Sequence, residues 1–329
     1  MSGRSISNAL VDEHVDTSPT VLVSTWDDGL FVVTGQTTRQ EFANQSVRGL
    51  ASDGRGGALF IVGGHSLCRR TSDGAVTTLA TSELDLACCM AVDDVIYVGT
   101  DDARLLCFSG SRNLEALRGF EAVAGRDTWY AGSAVIDGRV VGPPLGIRSM
   151  TATSDRTVLL VNVHVGGIPR SADGGASWQP TLDIRHDVHE VCAHPTRPGL
   201  VAAAAADGLH VSRDGGATWT AEQRGLHASY CSAVAFLGDD VVVAASTDHF
   251  ASEGAIYRRA VDGDDGLTLV ESGLPRWTNG IVDTGCISVR NSIAALVDRA
   301  GRMYMSADAG LTWAFVVDDL PLAGSLLIY

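Results

Sequence analysis

Apolar residues fall along this chain in short runs of about four to seven, each closed by Gly, Asp, Asn or Ser. V-L-V-S-T at 21–25, L-F-V-V-T at 30–34, A-L-F-I-V at 58–62 and V-I-Y-V-G-T at 95–100 are typical. Such runs are too short for buried helices. Their Val, Ile, Thr and aromatic side chains suit a pleated, packed surface. No helix of four turns or more is predicted. The pattern is all-β, with strands in successive groups of four.

Three of these groups share a polar punctuation: S-A-D-G-G-A-S-W at 171–178, S-R-D-G-G-A-T-W at 212–219 and S-A-D-A-G-L-T-W at 306–313. This spacing suits a tight turn between antiparallel strands. Asp accepts hydrogen bonds from the N–H groups of its own turn. Gly takes a backbone conformation that residues with a Cβ adopt reluctantly. Trp opens the outgoing strand, with a ring large enough to pack between sheets. Ser171 and Ser212 are 41 residues apart; Ser212 and Ser306 are 94 apart, two periods of 47. Dividing 329 by 47 gives seven units. Repeats of this length favour a closed propeller, here of seven four-stranded blades.

The repeated octapeptide resembles the Asp-box, or BNR repeat, of sialidases, other glycoside hydrolases, sortilin-type receptors and photosystem II assembly factors. The resemblance implies that the box joins the third and fourth strands of a blade, on the face away from the ligand. Asp173, Asp214 and Asp308 are then scaffold residues with no catalytic role. A degenerate copy, T-S-D-G-A-V-T-T, lies at 71–78.

Residues 1–19 are polar and aperiodic and read as a tail; residues 20–329 read as one propeller. The first blade offers strands only at 21–25, 30–34 and 40–42. At the other end S-L-L-I-Y, at 325–329, is left without a blade. The economical solution is that it supplies the missing first strand and closes the ring, removing two open edges. Blade three carries no box. An insertion at 120–146, expected over the box-free face, breaks the period. It contains a hairpin at 134–136 and 139–141 about Asp137-Gly138.

Composition narrows the function classes. The net charge is −15 and every one of the 24 basic residues is Arg, with no cluster among them, so nucleic acid is not an expected partner. No basic-then-apolar leader and no apolar run of about 18 residues is present, so the expectation is a cytoplasmic protein with no membrane partner. The seven Cys include no C-x-x-C pair and sit mostly in apolar runs, as reduced core thiols do.

Loop parity then sorts the polar residues. Turns from strand two to three, and from strand four to the next blade, share the face opposite the boxes. That face collects Trp26, Asp101, Asp187, Asp207 and Asp248, with His65, His164, His186, His189, His227 and His249. The candidate ligand-binding residues are Arg126, Trp129 and Tyr130 on the insertion, and His164, His189, His227, Tyr230 and Asp283 at entrances to the axial opening. His189, Asp283 and Tyr230 are also the candidates for acid–base catalysis. No cofactor is implied. A metal would need His164, His189 and His227 to converge from different blades, and no ligand motif supports one. Two functions remain in view. One is a binding or assembly module holding a small molecule or protein partner on the box-free face. The other is a glycosidase-like hydrolase with a His/Asp/Tyr site. Among its possible carboxylates are Asp27, Asp101, Asp207, Asp248 and Asp283. A true sialidase is not expected. The Arg-Ile-Pro motif of that family is absent; Gly167-Ile168-Pro169 lies mid-chain without the Arg.

Overall fold

The computed structural model describes residues 19–110, 113–129, 134–136, 139–141 and 146–329. Their strands form seven antiparallel sheets arranged as four-stranded propeller blades, with Thr278–Asn279 added to blade six as a short fifth strand and one two-stranded hairpin apart from the blades. From the axis outward, blade two is Val47–Ser52, Ala58–Val62, Ser66–Arg70 and Val76–Thr81. Blade four is Ile147–Ala152, Leu159–Val163, Ile168–Ser171 and Gln179–Leu182; blade five is Val188–Ala193, Val201–Ala205, Gly208–Ser212 and Thr220–Glu222. Blade six begins at Tyr230–Leu237 and blade seven at Ile287–Arg290. Apolar side chains from facing sheets interleave between neighbouring blades. Leu59, Ile61, Leu86, Val98 and Leu106, for example, fill the space between blades two and three.

The ring closes as expected. Ala323–Ile328 is the innermost strand of blade one and pairs with Thr20–Thr25, with Val23 opposite Leu326 and Val21 opposite Ile328. Blade three also has a fourth strand that the apolar pattern does not reveal. Glu115–Ala116 is only two residues long, exposed, and paired to Leu106 and Cys107.

The three boxes have one geometry. Ser171 Oγ donates to Asp173 Oδ1 at 2.8 Å and accepts from Gly175 N at 2.9 Å; Asp173 also receives Ser177 N. Ser212–Asp214–Thr218 and Ser306–Asp308–Thr312 repeat the arrangement. Hydrogen bonds from Ser177 and Ser171 hold the Asp173 carboxyl down to about 2. Gly216 shows why Gly is required: φ is +80°, and a Cβ would meet Leu160 of the preceding blade at 2.2 Å. Each carboxylate is fully engaged in its turn, as a scaffold role requires.

The box tryptophans are not equivalent. Trp178 and Trp313 are buried and donate to the carbonyls of Gly175 and Gly310 in their own turns. Trp219 is half-buried and reaches instead to Thr181 Oγ1 of the preceding blade at 3.2 Å. Trp313→Ala is therefore expected to lower stability by about 3–5 kcal/mol in urea unfolding, and Trp219→Ala by clearly less. Equal losses would mean that burial does not set the contribution of the ring.

The segment after blade three turns through the short helix Arg118–Glu121. Phe120 is fully buried, edge-on to Trp178 at 5.2 Å and 5.8 Å from Trp129. This wedge fills the space between blades three and four. Ala134–Ile136 and Arg139–Val141 pair antiparallel, as the sequence suggests.

Candidate functional site

A channel of about 920 Å³ follows the axis, lined by inner strands from all seven blades. Its box-free end carries Trp26, Arg48, Asp101, Arg148, His164 and Asp283; its other end carries His194, Thr196, Asp239 and Asn291. The inner strands of blades one to six each break register with the second strand near the box-free mouth. The unpaired residue is Arg148 in blade four, His189 in blade five and Ser232 in blade six. A bulge re-aims the side chain it carries, and here it does so around one opening.

His189, His164 and Tyr230 come together there. The His189 ring lies 4.5 Å from Tyr230 and 6.4 Å from His164, centroid to centroid. Asp187 sits between the two imidazoles, with Oδ1 at 3.5 Å from His164 Nε2 and Oδ2 at 3.7 Å from His189 Nε2. Its backbone is left-handed, with φ 47° and ψ 71°, where the turn Ile184–His186 gives way to the inner strand. His189 Nδ1 lies 2.6 Å from the carbonyl of Cys231. A carbonyl can only accept, so Nδ1 carries a proton and Nε2 faces Asp187.

Burial dominates the electrostatics. It pushes His164 down to about 4, with nearby Arg148 acting in the same direction and Asp187 against it. His164 is therefore a neutral ring at pH 7, and its buried Nδ1 has no hydrogen-bond partner. Burial drives the Tyr230 hydroxyl well above its ordinary value, so it is a phenol. Burial also works to raise Asp187, but His189 and His164 outweigh it, and the carboxyl lies below its usual range.

The cations at the mouth differ in how they are employed. Arg48 pairs with Asp101 at 3.0 Å and lies over the Trp26 ring at 5.6 Å. Arg299 donates to the His249 carbonyl at 2.6 Å. Asp283 lines the channel and takes Thr284 N at 2.8 Å. Arg148 makes no hydrogen bond, ion pair or ring contact among the described residues, although its charge acts on Asp187 and His164. Two large aromatic side chains on this face are exposed, Trp26 at 45% and Phe250 at 83%.

Other expected residues lie elsewhere. His227 is not part of this group: Nδ1 is 2.8 Å from Tyr257 OH and the ring rests edge-on to Trp277 at 4.8 Å. The metal arrangement of His164, His189 and His227 therefore does not form. Trp129 is buried in the wedge beside Phe120, and Arg126 covers it at 5.0 Å while donating to the Ala103 carbonyl. Neither lines the channel. Tyr130 is outside the described residues.

Two site residues escaped the sequence reading. Arg148 occupies a bulge that no motif marks. Glu190 lies in the channel wall, its carboxylate accepting Val234 N at 2.9 Å and Gly285 N at 3.2 Å. The one available signal was a Glu inside the apolar run V-H-E-V-C-A. Burial, aided by Asp283, pushes this carboxyl up to about 8 against those two hydrogen bonds. A raised folded-state value means that the native state holds a proton the unfolded state releases. The resulting stability is present below about 4.5 and is lost as pH rises through about 8. Glu190→Gln should flatten that alkaline decline by roughly 2–4 kcal/mol, less than the full shift implies because water reaches the channel. The slope of unfolding free energy from pH 5 to 9 is the readout; an unchanged slope would remove Glu190 as its cause.

A second constellation lies away from the channel lining, on the same face of blade five. His186 Nδ1 and His210 Nε2 lie 2.7 and 2.8 Å from the two carboxylate oxygens of Asp207.

No protein-family profile and no curated protein matches the sequence. Solved structures do resemble the fold. An ancestral GH74 enzyme superposes with a TM-score of 0.58 at 14% identity over 95% of this chain and 40% of its own. The GH74 xyloglucanase of Xanthomonas campestris gives 0.56 at 16% identity over 92% and 47%. This propeller is similar to those of GH74 enzymes. A computationally designed protein, Ika8, also matches, with 0.54 at 12% identity over 92% of this chain and 84% of its own. At such identities the likeness is one of fold, which hosts many functions. The chain spans less than half the length of these GH74 enzymes.

Proposed function

We propose that this propeller is a binding module whose box-free channel mouth holds a small acidic ligand bearing a ring and hydroxyl groups, of the sugar-acid class. The observation that carries the reading is Arg148, a guanidinium at the mouth that makes no hydrogen bond or ion pair among the described residues. Its planar donors match a carboxylate. Asp187 and Asp283 offer acceptors for hydroxyls, and exposed Trp26 offers a face for a ring. Calorimetry with glucuronate, galacturonate and glucose tests it. The uronates are expected to bind one to a chain and glucose far more weakly. Equal affinity for glucose, or no binding of either uronate, would overturn the acidic-ligand reading.

Glu190 favours a second reading, hydrolysis of a glycosidic bond. A carboxyl held protonated near pH 7 inside a channel, beside Asp283, is a combination that acid–base chemistry uses. In that case His189→Ala and Asp283→Asn would each lower turnover of a nitrophenyl glycuronide by about 10²–10⁴-fold. A wild-type chain with no turnover of any such glycoside would leave binding as the function.

A further inference from the structure

We propose that His186, Asp207 and His210 form a site for a borderline divalent cation of the zinc class on the box-free face of blade five. Their ligand atoms, Nδ1, a carboxylate oxygen and Nε2, all lie within 4.8 Å of one another. Two imidazole nitrogens and one carboxylate oxygen are a donor set such ions prefer over Mg²⁺ or Ca²⁺. In a tetrahedral site with bonds of about 2.0–2.1 Å, neighbouring ligand atoms stand about 3.3 Å apart. The observed contacts, 2.7 and 2.8 Å, are made to different oxygens of Asp207, so a cation held by one of them needs the carboxylate to turn between two nitrogens already within 4.8 Å of it and of each other.

The scaffold that holds these groups is firm. His186 ends the turn Ile184–His186, Asp207 lies in the turn from second to third strand, and His210 is inside Gly208–Ser212. Ala206 N donates to the carbonyls of both His186 and Asp187, fastening the first two segments together. Gln223 Nε2 donates to the Asp207 carbonyl, and His210 is paired in register with Ala203 and Ala221. One side is closed and the other open. The side chain of His210 is 3% exposed, whereas His186 and Asp207 are 33% and 45% exposed. Three protein ligands with an open side leave room for water or an exogenous ligand as the fourth.

Without a cation, each imidazole places one N–H against Asp207. A cation takes the place of both protons, and each neutral ring then carries its proton on the other nitrogen. Among the described residues no hydrogen bond or ion pair to an Arg side chain competes for Asp207. The site is separate from the channel, which none of the three lines.

Zinc titration of the full, untagged chain by calorimetry, with metal content after dialysis, tests the proposal. One Zn²⁺ per chain is expected. His186→Ala and Asp207→Asn should each weaken it by at least about 100-fold, beyond the 10–100-fold typical of losing an outer-sphere partner. Both positions are partly exposed, and circular dichroism checks that the variants remain folded. His210→Gln should do the same. The proposal fails if the wild-type chain takes up no zinc at millimolar concentration, or if folded His186→Ala or Asp207→Asn binds as tightly as the wild type.

Discussion

A chain ending at residue 322 is expected to lose its cooperative fold at room temperature. Ala323–Ile328 is the inner strand of blade one, and its Leu326 and Ile328 are 5% and 4% exposed, packed into the shared core of blades six, seven and one. Burying each such side chain is worth about 1.5–3 kcal/mol. The strand also ties neighbouring blades together. Ser325 Oγ meets Ser24 Oγ at 2.7 Å and accepts Leu50 N from blade two. Ile328 N donates to Ser288 Oγ of blade seven at 3.1 Å. Its loss opens the edge of Thr20–Thr25 and one wall of the channel. Together these terms approach the whole stability of a typical domain, about 5–15 kcal/mol. Thermal unfolding followed by circular dichroism measures it. A truncated chain melting cooperatively at the wild-type temperature would refute closure as a source of stability.

That strand was legible from the sequence because strands could be counted. A three-stranded first blade and an unassigned S-L-L-I-Y are complementary deficits. The boxes were legible because Ser, Asp, Gly and Trp each have a local reason to stand where they do. Glu115–Ala116 was not legible, since a two-residue exposed strand leaves no apolar alternation. The different setting of Trp219 was hidden for another reason: it depends on Thr181 of the preceding blade, which no local pattern records.

Parity of loops placed His164, His189 and Tyr230 on one face, and they do meet. Parity says nothing about distance from the axis. His227 shares that face but is held by the Tyr257 hydroxyl at the third strand of blade six. Trp129 read as a residue for stacking a ligand, yet Phe120 and Arg126 already occupy its ring. Loop parity does not reach Glu190 or Arg148, which lie within inner strands, and no motif marks Arg148 there. In a propeller the wall of the axial channel is made of strands, and polar residues inside inner strands face it.

Arg148→Ala is expected to weaken uronate binding by about 10–150-fold, the loss that follows removal of a hydrogen-bonded charge, about 1.5–3 kcal/mol. The other cations near the mouth cannot replace it without breaking existing contacts. Arg48 is engaged by Asp101, and Arg299 by His249. His164 is neutral, because burial holds it down to about 4. Arg148→Lys should recover only part of the affinity, since an ammonium offers no planar fork to a carboxylate. The neutral state of His164 adds a second condition. Between about pH 5 and 7 the charge facing the ligand at this position comes from Arg148, so affinity should vary little with pH in the wild type over that range, and fall toward pH 8 as Glu190 in the same channel ionises. A ligand held by His164 as an imidazolium would instead bind more tightly as pH falls toward 4. Calorimetry of glucuronate at pH 5, 6, 7 and 8, on wild type and Arg148→Ala, separates the two. Retained affinity in folded Arg148→Ala would show that the carboxylate is held elsewhere.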